Sequence, residues 1–316
     1  MVDLATRVAI WGRAGGRCSN PNCRRVLVHR PDEAADPSLI GEVCHIKAKG
    51  VGGPRYDENY PEEFRESYDN LLLMCRIDHK IIDDRPDIYT VEELRKLKSE
   101  HEAWVDSQLS SQEKTERTIR EKYSVLLAAI ERQLCFRQAD RWLSFMGNDE
   151  YPRIEQKFSG ILFDFPTWAV RQFWPNEIPT IEASVLNLVQ AIDDYVHFFV
   201  QYSSPNEFKD FYVIPKFYKS SDWDEERYER ISKKWDRVIA EARAKALEIA
   251  KALNLLTKVV RANVVPDYRT EEGWFIVPGE RVAANLSAMA VPRYSSKRET
   301  EILADPKYLS VLNVAR

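Results

Sequence analysis

The sequence predicts an α+β domain over residues 1–106, followed by a mainly α-helical domain over residues 107–316. Two short apolar runs, residues 40–46 and 71–74, have the length and composition of strands. A polar stretch over residues 107–118 lacks apolar periodicity, which favours a domain boundary there. Beyond it, apolar residues recur at helical spacing, and a length of 316 residues favours two domains.

The composition is that of an ordinary globular protein. Apolar residues make up 44 % of the chain and charged residues 30 %, and no apolar run approaches the ~20 residues of a membrane span. The N-terminus lacks the basic and apolar regions of a signal peptide, so we expect a cytoplasmic location and no membrane partner. Five cysteines in such a chain argue against a disulfide framework and favour metal binding by Cys18, Cys23 and Cys75.

The first element is predicted to be a helix over residues 4–14, because Leu4, Val8 and Trp11 share one face. Two glycines follow and end it. The next segment spaces two cysteines as Cys18-x4-Cys23 and fills the interval with turn-forming Asn, Pro and Ser residues, which is the pattern of a zinc knuckle.

After a predicted linker over residues 30–37, the first strand of the central pair ends at His45. A glycine-rich loop over residues 50–57 then places Arg55 on a constrained turn. Asn70 stands at the entrance of the second strand. A capping box at Thr90 starts a helix that continues to about residue 104.

The second domain contains three apolar patterns of helical spacing, over residues 123–134, 185–199 and 222–261. The longest keeps a spacing close to seven, which suits a partner helix from another copy and hence a homo-oligomer. The alternative is that this stripe packs inside its own domain. Residues 274–277 form a short β-like run.

Charge is unevenly distributed. The net charge of −4 gives no overall nucleic-acid signature, but the first thirty residues carry six arginines and a single acidic residue, Asp3. A local basic face of this kind can hold a phosphate backbone even on an acidic protein. The alternative is an arginine-rich surface that binds no ligand.

Taken in order, five motifs resemble the HNH nuclease family over about residues 7–105. They are Trp11-x5-Arg17-Cys18-x4-Cys23, Gly41-Glu42-Val43-Cys44-His45-Ile46, Gly53-Pro54-Arg55-Tyr56-Asp57, Tyr68-Asp69-Asn70-Leu71-Leu72-Leu73-Met74-Cys75 and Tyr89-Thr90-x2-Glu93-Leu94-x3-Lys98-x2-His101-Glu102. The resemblance implies a ββα-metal fold, built from a strand pair and one helix, that cleaves double-stranded DNA.

The resemblance also implies a role for each of three residues. His45 is the general base that takes a proton from the attacking water, a task that suits a side chain titrating near neutral pH. His79 binds one divalent ion, Mg²⁺ or Mn²⁺, which stabilises charge on the phosphate and the leaving oxygen. Asn70 holds the loop after His45 through side-chain hydrogen bonds.

The chain departs from the family pattern at Cys44, where many members carry a metal-binding Asp before the catalytic His. A thiolate is a poor Mg²⁺ ligand, and strand alternation turns Cys44 away from His45, so we expect it to pack. The second ligand of the catalytic ion stays open among Asp57, Asp69 and Asp83.

A second departure concerns the zinc knuckle. Related domains complete it with Cys-x2-Cys or Cys-x2-His, whereas this chain has Cys75-x2-Asp78. Because Asp can bind zinc, Cys18, Cys23, Cys75 and Asp78 are predicted to form a structural Zn²⁺ site. Cys44 is the competing fourth ligand.

Phosphate contacts are expected from Arg17, Arg24 and Arg55, which would bind the DNA backbone without reading its sequence. By analogy, bacterial HNH domains of this kind serve as effectors of antiphage or restriction systems, controlled by a second domain that responds to a regulatory ligand or a partner protein. Two alternatives stay open: a degenerate HNH domain that only binds nucleic acid, and a nuclease for RNA or modified DNA.

Overall fold

A computed structural model describes residues 2–29, 38–148, 150–219, 224–277 and 291–305. The predicted linker over residues 30–37 lies outside them. The chain is α+β, mostly helical with small sheets. It divides into two compact units, Met1–Ala129 with Asn263–Asp267, and Ile130–Ala262 with Tyr268–Arg316.

Unit 1 combines helices with two antiparallel strand pairs, β1 with β2 and β3 with β4. Its elements are α1 (Leu4–Arg13), β1 (Val28–His29), β2 (Ser38–Leu39), β3 (Gly41–His45), α2 (Glu62–Arg65), β4 (Leu71–Cys75), α3 (Arg76–Asp84), α4 (Val91–Gln108) and the first part of α5 (Ser111–Gln133).

The helices predicted over residues 4–14 and from Thr90 are confirmed as α1 and α4, and capping residues in the sequence determine where they begin. Asp3 caps α1 by accepting a hydrogen bond from the Thr6 backbone N–H at 2.8 Å. The glycines at 15 and 16, both at positive φ, end it. Thr90 caps α4 by accepting from the Glu93 backbone N–H at 3.3 Å.

The β3–β4 pair forms the centre of unit 1. Gly41 lies opposite Cys75 and His45 opposite Leu71, and every residue of β4 is buried. Helix α3 follows β4 without a loop. Helix α3 was not predicted from the sequence as a separate helix. The observed order is therefore strand, loop, strand and helix, with α4 as a second helix.

The units divide after Ala129, whereas the sequence predicted a boundary after residue 106. Most of α5, up to Ala129, belongs to unit 1 because it pairs with that unit's helices. Arg117 donates to Asp106 of α4 at 2.6 Å, and Arg13 of α1 lies 3.3 Å from Glu121. The polar residues 111–118 thus belong to helix α5 and are not a linker.

Unit 2 is mainly helical, with one three-stranded antiparallel sheet in the order β5-β7-β6. Besides the end of α5 it contains α6 (Ala139–Met146), β5 (Arg153–Glu155), α7 (Gln156–Arg171), α8 (Pro179–Tyr202), β6 (Ser204–Pro205), β7 (Phe211–Val213), α9 (Glu225–Asn263) and α10 (Ser296–Ala304). None of the helices in the described ranges is both long and apolar enough to cross a membrane.

The three helical patterns predicted for the second domain correspond to α5, α8 and α9. The apolar stripe of α9 is buried from Trp235 to Val260, which favours packing within the chain over pairing with another copy. The β-like run at residues 274–277 is not a strand, so that expectation was wrong.

Candidate active site and metal centre

Four of the predicted metal ligands come together in unit 1. Cys18 and Cys23 lie in the loop after α1, Cys75 ends β4, and Asp78 lies in the first turn of α3. One ligand atom from each lies within 4.8 Å of every other. The Asp78 carboxylate is 3.1 Å from Cys18 Sγ and 3.0 Å from Cys75 Sγ, and the Cys23 and Cys75 sulfurs are 4.0 Å apart. The group could hold a metal ion.

The competing ligand, Cys44, is not a member of this group. Its side chain is fully buried, and its Sγ lies 3.4 Å from the Glu42 carbonyl oxygen. The expectation that Cys44 packs in the core therefore agrees with the structure.

Neighbouring donors orient three of the four side chains of this metal group. Asn20 Nδ2 donates to Asp78 Oδ1 at 2.7 Å, which leaves Oδ2 facing the sulfurs. The Cys75 backbone N–H donates to Cys18 Sγ at 3.4 Å, and Arg25 Nε donates to Cys23 Sγ at 3.2 Å. Burial raises the pKa of the Cys18 and Cys75 thiols, so a bound metal ion would displace their protons.

The reacting histidine predicted from sequence, His45, lies at the end of β3 on a cavity of about 310 Å³. His79, Asp83 and the glycine-rich loop line the same cavity. His45 Nε2 is buried and has no hydrogen-bond partner in the described part of the chain. Burial lowers the pKa of His45, so the imidazole is neutral near pH 7.

Asn70 makes the contacts expected of it. Its amide Nδ2 donates to the carbonyl oxygens of Lys47 at 2.9 Å and Arg65 at 2.8 Å, and its Oδ1 accepts from the Lys47 backbone N–H at 2.9 Å. Asn70 is only 1 % exposed. The side chain thus holds the segment that follows His45.

His79 lies between two carboxylates. Its Nδ1 is 2.6 Å from Glu42 Oε2, and its Nε2 is 3.3 Å from Oδ2 of Asp83, one helical turn later on α3. The hydrogen bond with His79 lowers the pKa of Glu42. Asp57 instead pairs with Lys47 at 2.7 Å, and Asp69 is exposed, so Asp83 is the best placed of the three candidate ligands.

Arg55 does not present its guanidinium as a surface phosphate contact, which corrects the sequence-based expectation. The side chain is 4 % exposed and donates to the carbonyl oxygens of Ile46 and Ile82 at 2.7 Å and to Asp83 at 2.8 Å. Its backbone has a positive φ of 55°. Arg55 therefore joins the end of β3 to α3 and holds Asp83.

The other two predicted phosphate contacts are half-buried. Arg17 donates to the Arg24 carbonyl oxygen at 3.0 Å, and the Arg24 guanidinium stacks 3.7 Å from the Trp104 ring centroid. The cation on the cavity wall is Lys49, which pairs with Glu66 at 2.6 Å.

Comparison of the sequence with protein-family models and with curated proteins finds no match. The resemblance to HNH nucleases thus rests on the sequence motifs.

Replacing Arg55 by Lys should destabilise unit 1, because one ammonium group cannot serve the carbonyls of Ile46 and Ile82 and the Asp83 carboxylate together. We expect the free energy of unfolding to fall by about 2–4 kcal/mol. Thermal and denaturant unfolding would measure it, with the exposed Arg95→Lys as control. Unchanged stability combined with weaker DNA binding would contradict the structural role.

Removing a bound metal ion from the Cys18, Cys23, Cys75 and Asp78 group should destabilise unit 1, because the ion would join the loop after α1 to the end of β4 and the start of α3. We expect about one tightly held ion per chain by elemental analysis, lost in Asp78→Ala and retained in the exposed control Asp84→Ala. A fully folded chain that holds no metal would contradict this expectation.

Proposed function

We propose that this chain is a metal-dependent endonuclease that hydrolyses phosphodiester bonds in double-stranded DNA. The observation that carries the proposal is the unpartnered Nε2 of His45, buried on the cavity that also contains His79 and Asp83. Most buried polar atoms in proteins are paired. Other buried atoms of the described residues, such as His101 Nδ1, also lack a partner, but His45 alone among them lines a cavity together with a second histidine and a carboxylate, which is typical of a reacting site. The order of β3, β4 and α3 supports an HNH-type ββα arrangement.

In this proposal His45 acts as the general base. Its lowered pKa keeps the imidazole neutral, so it can accept a proton from a water molecule that attacks phosphorus. Asn70 fixes the backbone on the C-terminal side of His45 and thereby limits the motion of the ring. Lys49 lines the cavity, and its ammonium group would contact the phosphate of the bound DNA.

His79 and Asp83 fit a divalent ion. Two neighbouring ligands of an octahedral ion with bonds of 2.0–2.1 Å lie about 3 Å apart. The separation of 3.3 Å between His79 Nε2 and Asp83 Oδ2 is close to that value. Bound Mg²⁺ or Mn²⁺ would stabilise the charge that develops on the phosphate and on the leaving oxygen.

The second metal group fits a structural Zn²⁺ ion. Three sulfurs and one carboxylate oxygen suit zinc, and bonds of about 2.3 Å place tetrahedral sulfurs about 3.8 Å apart. The Cys23 and Cys75 sulfurs, at 4.0 Å, agree with this geometry. Zinc would then hold the loop after α1 against the start of α3.

The chain is proposed to be the effector of a bacterial antiphage or restriction system. Its nuclease would have to be controlled, and we assign this control to unit 2. The support is the joining of a small nuclease-like unit to a larger helical one, which is an argument by analogy.

The direct test is nicking of supercoiled plasmid with Mg²⁺ or Mn²⁺. We expect His45→Ala to lower the rate by about 10²–10⁴, the usual contribution of a general base, while the exposed His197→Ala does not change it. Single-stranded RNA and methylated DNA run in parallel test those substrates. DNA binding without nicking under either metal would favour a nucleic-acid-binding domain.

The pH dependence provides a second test. Because burial lowers the pKa of His45, its basic form persists below the usual pKa of about 6.5. The acidic limb of the single-turnover nicking rate should therefore have its midpoint below pH 6.5. A midpoint above pH 7, or no acidic limb that depends on His45, would contradict this assignment.

A further inference from the structure

We propose that Glu42 is a positioning residue that accepts the Nδ1–H of His79 and so directs the Nε2 lone pair of that ring to the divalent ion. This inference rests on the proposed function for the identity of His79 as a metal ligand.

The short contact between Glu42 and His79 is the first argument. Glu42 Oε2 lies 2.6 Å from His79 Nδ1, whereas Asp83 Oδ2 lies 3.3 Å from Nε2. The first distance is that of a strong, charge-assisted hydrogen bond, and the second exceeds the usual range. The two carboxylates therefore contact the ring in different ways. Glu42 accepts a hydrogen bond from Nδ1–H, and Asp83 lies at the distance from Nε2 that two ligands of one metal ion would have.

The chemistry of imidazole makes this difference decisive. A neutral histidine has one N–H and one lone pair, and only the nitrogen with the lone pair can bind a metal ion. A carboxylate is an acceptor only, so Glu42 selects the tautomer that has its proton on Nδ1. Carboxylate–histidine–metal arrangements of this kind fix both the tautomer and the ring orientation.

Glu42 is itself held in place. Its second oxygen, Oε1, accepts from Arg76 Nε at 3.0 Å, and Arg76 is the first residue of α3. The same carboxylate therefore contacts the start of α3 and a side chain one turn later. Asp83 is fixed separately, by Arg55 at 2.8 Å.

The strand explains why the carboxylate is at position 42 and not at position 44. Side chains alternate along β3, so Glu42 and Cys44 share a face, and Cys44 is fully buried there. A carboxylate at position 44 would have to be fully buried, which costs more than at the partly exposed position 42. Position 42 is 37 % exposed, and its longer side chain reaches His79 from the edge of the pair.

The test is the tautomeric state of His79 in the full-length, zinc-loaded chain with saturating Mg²⁺. The chain has five histidines, so long-range ¹H–¹⁵N spectra of ¹⁵N-histidine-labelled protein are simple enough to assign by the loss of signals in His79→Asn. We expect the wild type to carry its proton on Nδ1 alone. Glu42→Ala should give a mixture of tautomers and weaken Mn²⁺ binding, followed by electron paramagnetic resonance, by about 10–100-fold.

Two variants separate positioning from folding. Glu42→Gln keeps an acceptor oxygen and should retain the Nδ1–H tautomer, with weaker Mn²⁺ binding than wild type. Asp84→Ala removes an exposed carboxylate from α3, the helix that carries His79, and should match the wild type in tautomer and in Mn²⁺ affinity. Circular dichroism checks that each variant is folded.

A wild-type His79 protonated on Nε2, or on both nitrogens, would overturn the inference, as would unchanged tautomer and Mn²⁺ affinity in folded Glu42→Ala. A plasmid left intact by the wild type, together with the expected response of tautomer and Mn²⁺ affinity, would overturn the nuclease proposal and support the role of Glu42. If the wild type nicks plasmid and Glu42→Ala is unaffected in every measurement, the nuclease proposal is supported and the role of Glu42 is overturned.

Discussion

Cys75 joins the main parts of unit 1. It ends β4 opposite Gly41, and its sulfur caps α3 by accepting from the Asp78 backbone N–H at 3.4 Å. The same sulfur belongs to the group that could hold a metal ion. Because His79 follows Asp78 directly, an ion bound there would set the position of the first turn of α3 and of the ring that it carries. The proposed reacting site thus depends on the geometry of a neighbouring one.

Near His45 the polar side chains that support the backbone have hydrogen-bond partners, whereas Nε2 of His45 has none in the described part of the chain. Asn70 and Arg55 make hydrogen bonds with the backbone of residues 46 and 47, directly after His45, and both side chains are buried. The cost of burying them is offset by these bonds. The unpartnered Nε2 of His45 next to these bonded groups is what supports the proposed role of that ring.

Local signals predicted much of this unit from sequence, and tertiary packing determined the rest. The caps at Asp3 and Thr90 and the cysteine spacing are encoded within a few residues, so α1, α4 and the metal group could be predicted. Helix α3 could not, because Asp78 takes a buried position where periodicity expects an apolar residue, while Ile77 is exposed. The contact from Glu42 depends on how α3 packs against β3, which strand alternation alone does not show.

Chemical rescue tests most directly whether His45 is the base of a metal-dependent DNA cleavage. Plasmid nicking by His45→Gly would be measured with increasing imidazole, beside His79→Gly. The account predicts that imidazole restores nicking by at least about tenfold in His45→Gly and not in His79→Gly. Wild-type rates in His45→Gly without imidazole would contradict it.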